Sequence, residues 1–324
     1  MIHHFLDQIV LPSSSSHKGQ NGKVLIIGGS DLFHAASQWS FLAASRWVDM
    51  VFYSSVSENN EVLKASKIGV RDGVVVARKD LPFYINEANV ILIGPGMRRD
   101  VPSRFTAEQL KSITPNDLNN DDWENDTKAV VSALLLAFPH KKWILDAGAL
   151  QVMDIAVLPE NPILTPHKQE LFRMLDNMNE PRDAWQYLLS SVSRELHSDE
   201  PSRTAKIEEW SSLSLEYRQK LTTFAQKMRN ATIIVKGEVD LLWNSEEIYR
   251  ISGGNAGMTK GGTGDALAGM IAGFWTHSPA LASVAVASIL NKQAAHELHE
   301  QYDFMYNTTD LVNQLPVTWK HLQA

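Results

Sequence analysis

Short apolar runs recur along the chain, with longer Ala-rich or amphipathic stretches between them. Residues 23–29 read KVLIIGG, a continuous apolar run closed by glycine. That is the pattern of a strand buried on both faces of a parallel sheet. Similar runs over residues 49–56, 74–78, 90–94, 143–146, 162–165, 232–236, 240–243 and 247–251 predict further strands. Residues 33–47, 127–138, 263–274, 279–299 and 308–314 carry helical patterns. Alternation of this kind predicts an α/β fold, a mostly parallel central sheet with helices on both faces. The closely spaced pair near 240–251 predicts an antiparallel edge. Two stretches break the rhythm. Residues 98–126 are polar and rich in Asn and Asp, which predicts a solvated loop around short helices. Residues 176–229 are charged and helix-prone. Both read as insertions in a single extended domain over residues 1–324.

In open α/β sheets ligands bind beyond the carboxyl ends of the strands. The polar residues of interest fall at those ends: Gly28-Gly29-Ser30, Gly94-Pro95-Gly96, Asp146, Thr165-Pro166-His167 and Lys236-Gly237. Six of the 18 glycines crowd into residues 253–264, directly ahead of Asp265. Glycines let backbone N–H groups approach an anion, and a helix start adds unpaired donors and partial positive charge. Asp265 would repel a bound anion unless it has a task, such as taking a proton from a hydroxyl. Its other reading is an ordinary first-turn carboxylate favoured by the helix dipole. His167 and Glu170 stand three apart at a helix start, where Glu is also the usual capping partner. Asp146 either orients a substrate or caps the next helix. Lys236 either meets phosphate or lies in a surface turn.

Composition narrows the partners. The 30 Lys and Arg against 37 Asp and Glu leave a net charge of −7 with no basic block, which argues against nucleic acid. With no cysteine there is no disulfide, thiolate metal site or cysteine nucleophile, as fits a reducing cytoplasm. No second histidine follows His167 at a zinc-ligand spacing, so no protein-held metal is expected. No apolar run reaches the ~18 residues that span a bilayer. The first residues, MIHHFLDQIVLP, lack the basic start and apolar core of a secretory signal.

Taken in order, the motifs are specific. They run HKGQNG (17–22), IIGGS (26–30), IGPG (93–96), LDAGAL (145–150), LTPHKQEL (164–171), VKGEVD (235–240) and NAGMTKGGTGDALAG (255–269). This order resembles the NAD(P)H-hydrate dehydratase family of the ribokinase-like superfamily. The resemblance implies a ribokinase-like three-layer fold. It implies repair of hydrated NADH or NADPH, with ADP or ATP, and Mg2+, driving loss of the hydroxyl. Phosphate is a far better leaving group than hydroxide.

By motif match, Asp265 resembles the general base, and Gly262, Thr263 and Gly264 the anion hole. Ala36, Gly96, Asp146, His167 and Asp265 match the substrate side. Lys236, Gly237, Glu238, Val239, Asp240, Asn255 and Gly264 match the nucleotide side. Glu170 matches a glutamate that helps hold magnesium through water. Family members often carry an epimerase domain ahead of this one, for which the stretch before His17 is too short. Homo-oligomerisation is left open.

This chain departs from the pattern at three places. Phe33-His34-Ala35-Ala36 stands where the family has a Gly-Ala turn, the helix after it ends Ser45-Arg46-Trp47-Val48 where the family ends near RTGA, and Met97-Arg98-Arg99 follows the GPG turn. Arg98 and Arg99 are expected either to grip substrate phosphates or to be a solvated pair. Two other functions share the motifs: a kinase for a hydroxymethylpyrimidine or a sugar, and a non-catalytic nucleotide-binding regulator.

Overall fold

The computed structural model describes residues 1–65, 73–194 and 202–324. Among the described residues ten strands form one sheet: β1 Lys23–Ile27, β2 Met50–Ser54, β3 Gly73–Val75, β4 Val90–Ile93, β5 Lys142–Leu145, β6 Ile163–Leu164, β7 Ser202–Glu209, β8 Thr232–Val235, β9 Asp240–Trp243 and β10 Ile248–Asn255. Their order is β3-β2-β1-β4-β5-β6-β8-β9-β10-β7. Pairing is parallel from β3 through β8 and antiparallel from β8 to β7. The α/β class and the predominantly parallel sheet are as the apolar runs predicted.

Strand residues alternate between two cores, because successive side chains leave a strand on opposite faces. Leu25 and Ile27 of β1, with Ile91 and Ile93 of β4, face one cluster. Val24 and Ile26, with Val90 and Leu92, face the other. The helices Thr127–Ala137, Lys168–Asn177 and Leu215–Lys227 cover the first face. Ala35–Ala44, Thr263–Trp275, Ala280–Tyr302 and Thr308–Leu322 cover the second. A strand buried on both faces has no polar face to show, which is why these runs read as continuously apolar.

Several boundaries differ from expectation. The strand expected over 74–78 is short, because Arg78 begins a 3-10 turn, Arg78–Asp80. The last helix runs through Pro316 to Leu322, past the end expected at 314. The stretch 176–229 holds helices Asp183–Arg194 and Leu215–Lys227, but also β7, which was not expected; its residues 195–201 lie outside the described residues. β7 pairs with β10 and takes the edge that the 240–251 pair was expected to form. Ala205 and Ile207 face inward while Thr204, Lys206 and Glu208 face water. One apolar face of two residues among charges is a weak strand signal. No helix among the described residues is long and apolar enough to cross a membrane.

The strand-end loops are stitched to one another by backbone hydrogen bonds. Gly29 N–H donates to Pro95 O at 2.6 Å, Asp146 N–H to Ile93 O at 3.0 Å, Gly148 N–H to Gly94 O at 3.2 Å, and Lys236 N–H to Pro166 O at 2.9 Å. Gly94 has φ +122°, and a Cβ there would stand 1.8 Å from Asp146 O. This turn therefore requires glycine both for conformation and for close approach.

The helix Thr263–Trp275 packs on Ala35–Ala44 at similarly close range. A Cβ on Gly269 would meet Ser40 O at 2.2 Å, whereas one on Gly261 would meet nothing within 4 Å. Gly269→Ala is expected to lower the unfolding free energy by roughly 1–3 kcal/mol through overpacking. Gly261→Ala should stay within about 0.5 kcal/mol of the parent. Urea denaturation of both variants checks the contrast; equal stabilities would contradict the packing described here.

Candidate functional site

A cavity of about 800 Å3 opens beyond the strand ends. It is bounded by the ends of β5, β6 and β8, by the turn after β8, by the end of β10, and by the start of the helix Thr263–Trp275. Gly262 precedes that helix with φ +101°, a conformation that glycine adopts at no steric cost. Trp39 lies against its Cα so closely that a Cβ would stand 2.1 Å from the indole. The first helical bond runs from Ala266 N–H to Gly262 O. The N–H groups of Gly262, Thr263 and Gly264 find no acceptor among the described residues. A 13-residue helix therefore presents free donors and its positive dipole end to the cavity. Thr263 is anchored through its side chain, whose hydroxyl donates to Met258 O at 2.8 Å.

Asp265 sits in the first turn of this helix. Burial pushes its carboxyl up to about 7, and the carboxylates of Asp146 and Glu170 push the same way. Lys236 opposes them. A carboxyl with this midpoint is part-ionised at neutral pH, the condition in which it accepts a proton most effectively. Lys236 Nζ donates to Asp146 Oδ1 at 2.7 Å. Burial by itself would lower the lysine's pKa, but the charges of Asp146, Glu170 and Asp265 leave it raised. Asp146 is almost wholly buried and also accepts from Thr165 Oγ1 at 2.7 Å. It makes no capping bond to the helix Ala147–Val152 that follows. Of its two readings from sequence, the structure discards the cap. Ala147, next in the chain, has φ +44° and lines the cavity. Strain of this kind persists only where the surroundings impose it.

His167 and Glu170 form a reciprocal capping box. His167 Nδ1 accepts from Gln169 and Glu170 N–H at 3.1 and 3.3 Å, and Glu170 Oε2 accepts from His167 N–H at 2.9 Å. Desolvation lowers the histidine pKa against the pull of Glu170, so the ring is neutral at pH 7 with its proton on Nε2. Capping and cavity lining coexist in both residues.

The turn after β8 is held from within. Asp240, buried, accepts from Gly237 N–H at 2.9 Å and from Ser288 Oγ at 2.6 Å. Asn255 accepts from Gly257 N–H at 2.9 Å and Tyr306 OH at 2.7 Å, and donates to Ala295 O at 2.7 Å.

Of the residues singled out in the sequence, Asp146, His167, Glu170, Lys236, Gly237, Glu238, Asp240, Asn255, Gly262, Thr263, Gly264 and Asp265 all line this one cavity. Val239 does not; its side chain is in the core. Ala36 and Gly96 lie against each other, 3.1 Å from the Ala36 Cβ to a Cβ built on Gly96, and are outside the lining. Arg98 is likewise outside. Its guanidinium grips Asp31 at 3.0 Å and Asp100 at 2.9 Å, so its charge is already answered within the chain. Arg99 lines a separate cavity of about 630 Å3.

Sequence reasoning missed Trp39, Lys260, Tyr306 and Lys292. Lys292 is buried in the cavity wall on the helix Ala280–Tyr302. Its only signal was the pair Asn291-Lys292 interrupting an otherwise apolar run.

A family model described as NAD(P)H-hydrate dehydratase matches residues 24–317. The bifunctional NAD(P)H-hydrate repair enzyme Nnr of Methanocaldococcus jannaschii is 28% identical over 313 residues, 96% of this chain and 50% of the relative. The ADP-dependent (S)-NAD(P)H-hydrate dehydratase of Streptococcus pneumoniae is 24% identical over 327 residues, 97% of this chain and 92% of the relative. The chain spans about half the length of the first curated relatives it matches. Among solved structures, the Bacillus subtilis ADP/ATP-dependent NAD(P)H-hydrate dehydratase co-crystallized with ATP/Mg2+ superposes with a TM-score of 0.68 at 20% identity. That match covers 99% of this chain and 97% of the other. A ribokinase-like superfamily protein from Enterococcus faecalis gives 0.68 at 23% identity, covering 99% and 95%. The fold is ribokinase-like.

Asp265 binds its proton more tightly in the folded chain than in the unfolded one. Below the unfolded value near 3.8 both states are protonated; as pH rises towards 7 the folded state loses stability relative to the unfolded. Asp265→Asn removes this penalty. The variant is expected to be more stable than the parent at pH 8, with the gap narrowing as pH falls below 7 and gone only below the unfolded value near 3.8. Urea midpoints at pH 8 and pH 5 check it; a gap independent of pH would place the Asp265 midpoint elsewhere.

Proposed function

The chain belongs to the NAD(P)H-hydrate dehydratase family, and on that premise we propose that it dehydrates hydrated NADH or NADPH at the expense of ADP or ATP. One observation carries the reading: Asp265, with its midpoint near 7, stands at a helix start whose N–H groups are free, beside the buried Lys236. Asp265 takes the proton of the ring hydroxyl. The hydroxyl oxygen bonds to the terminal phosphorus of the nucleotide, and the anhydride P–O bond breaks. The N–H groups of Gly262, Thr263 and Gly264 receive the charge on the phosphoryl oxygens. The ring C–O bond then breaks with phosphate leaving, the neighbouring ring carbon loses a proton, and the double bond returns. A regulator that only sensed nucleotide would have no use for a carboxyl held at its midpoint.

Lys236 and the turn to Asp240 face the nucleotide. Asp146 and His167 face the dinucleotide from the cavity, with His167 offering Nε2–H as a donor, and Gly96 and Ala36, packed on each other outside that lining, meet the part of the dinucleotide that extends beyond it. The relatives' names carry ADP dependence. Among the described residues no three carboxylates or imidazoles gather into a set that would cage a cation. Glu170 has Oε2 committed to the capping box. These donors fit Mg2+ carried on nucleotide phosphates, with Glu170 reaching its water shell. The ion supplies neutralisation of phosphate charge.

Asp265→Asn is expected to keep the fold and lose about 10²–10⁴ in kcat. In the parent, kcat should rise as pH passes upward through about 7, as Asp265 deprotonates. The assay is the return of absorbance near ~340 nm, the signature of the reduced nicotinamide that the cofactor itself carries, from hydrated NADH with ADP and ATP compared. A variant with near-normal kcat would remove Asp265 from the chemistry.

A further inference from the structure

Lys292 is the most deeply buried ammonium in the cavity wall, with its side chain 3% exposed. Its Nζ donates to Gly237 O and to Glu238 O, each at 3.1 Å. It also stands 3.4 Å from Asp240 Oδ1. Asp240 in turn accepts from Gly237 N–H at 2.9 Å and from Ser288 Oγ at 2.6 Å. Ser288 and Lys292 are four apart on the helix Ala280–Tyr302, so they share a face. One turn of that helix thus holds the β8–β9 turn at three points: two backbone carbonyls and one carboxylate.

In a planar trans peptide the C=O of one residue and the N–H of the next point in opposite directions. With the Gly237 and Glu238 carbonyls drawn to Lys292, the N–H groups of Glu238 and Val239 are turned away from it. Neither N–H has an acceptor among the described residues. A burial this deep is costly for an ammonium unless every proton is answered. Here two carbonyls and a carboxylate answer it, so no free charge is left over for a phosphate.

We infer that Lys292 is a positioning residue for the nucleotide: it locks the 236–240 turn so that the N–H group of Glu238, which lines the cavity, is preset for a nucleoside phosphate ligand. This deepens, and rests on, the assignment of that turn to the nucleotide. It also states how the residue acts. Lys292 works through backbone geometry, not by touching phosphate, so its loss costs a diphosphate and a triphosphate alike.

The test is calorimetric titration of the full chain with Mg-ADP and with Mg-ATP, parent against Lys292→Met, alongside KM for the hydrated dinucleotide. The variant is expected to raise Kd for both nucleotides by one common factor of about tenfold to hundredfold, the scale of lost hydrogen bonds to a charged group. The dinucleotide KM should stay within about twofold, which general loosening of the fold would not allow. Unchanged nucleotide Kd overturns the inference. So does a loss markedly larger for ATP than for ADP, which would signal direct contact with the terminal phosphate. A parent that binds neither nucleotide removes the underlying assignment of the turn instead. Should Lys292→Met fail to fold with Asp240 left unanswered, the pair Lys292→Met with Asp240→Asn buries no lone charge and carries the same comparison against Asp240→Asn.

Discussion

The site depends on one buried ion pair. Lys236 and Asp146 meet at 2.7 Å with side chains 17% and 1% exposed, joining the ends of β5 and β8 across the short β6 between them. Buried pairs add little net stability, because desolvation offsets attraction, and the loss of one partner is strongly destabilising. The value of this pair lies elsewhere. Three carboxylates, those of Asp146, Glu170 and Asp265, act on a single ammonium. Asp146 holds it most directly, so its charge only partly reaches Asp265. That balance leaves Asp265 near 7 rather than in the ordinary carboxylate range. A freer lysine would pull the base down, and a missing one would push it further up.

The same end of the sheet is built for close approach. Gly94 passes within contact of Asp146 O, Gly262 lies under the Trp39 indole, and Gly29 is wrapped by Asn59, Ser55 and Ser37. The Gly29 turn donates a backbone hydrogen bond to Pro95 O, and Gly148, after β5, donates one to Gly94 O. Rigid strand ends thereby fix loops that have little secondary structure of their own, and side-chain hydrogen bonds such as those of Asp146 and Asp240 fix the polar groups on them.

Most of this was legible in the sequence for a physical reason. Strands buried on both faces read as unbroken apolar runs, and glycine clusters mark turns that no other residue can make. Loop residues tied to backbone chemistry, such as Gly262, Lys236 and Asp265, are local signals. What was not legible depends on distant contacts. β7 has only Ala205 and Ile207 on its inner face, and its partner β10 is some forty residues away. Lys292 looks in sequence like one cation in a long apolar helix, and only the fold brings it to the Gly237 and Glu238 carbonyls. Arg98 shows the converse. Its placement after GPG suggested an anion, but Asp31, which follows the GGS turn, and Asp100 supply that anion from within the chain.

His167 shows how a capping role and a binding role fit in one residue. A ring nitrogen that accepts two N–H groups at a helix start cannot also carry a proton, so capping selects the Nε2–H tautomer. Desolvation keeps the second proton off. The ring therefore enters the cavity as a neutral donor whose orientation is set by the helix Lys168–Asn177. The capping box that seemed to argue against a role for His167 is what gives its ring a defined tautomer and orientation in the cavity wall.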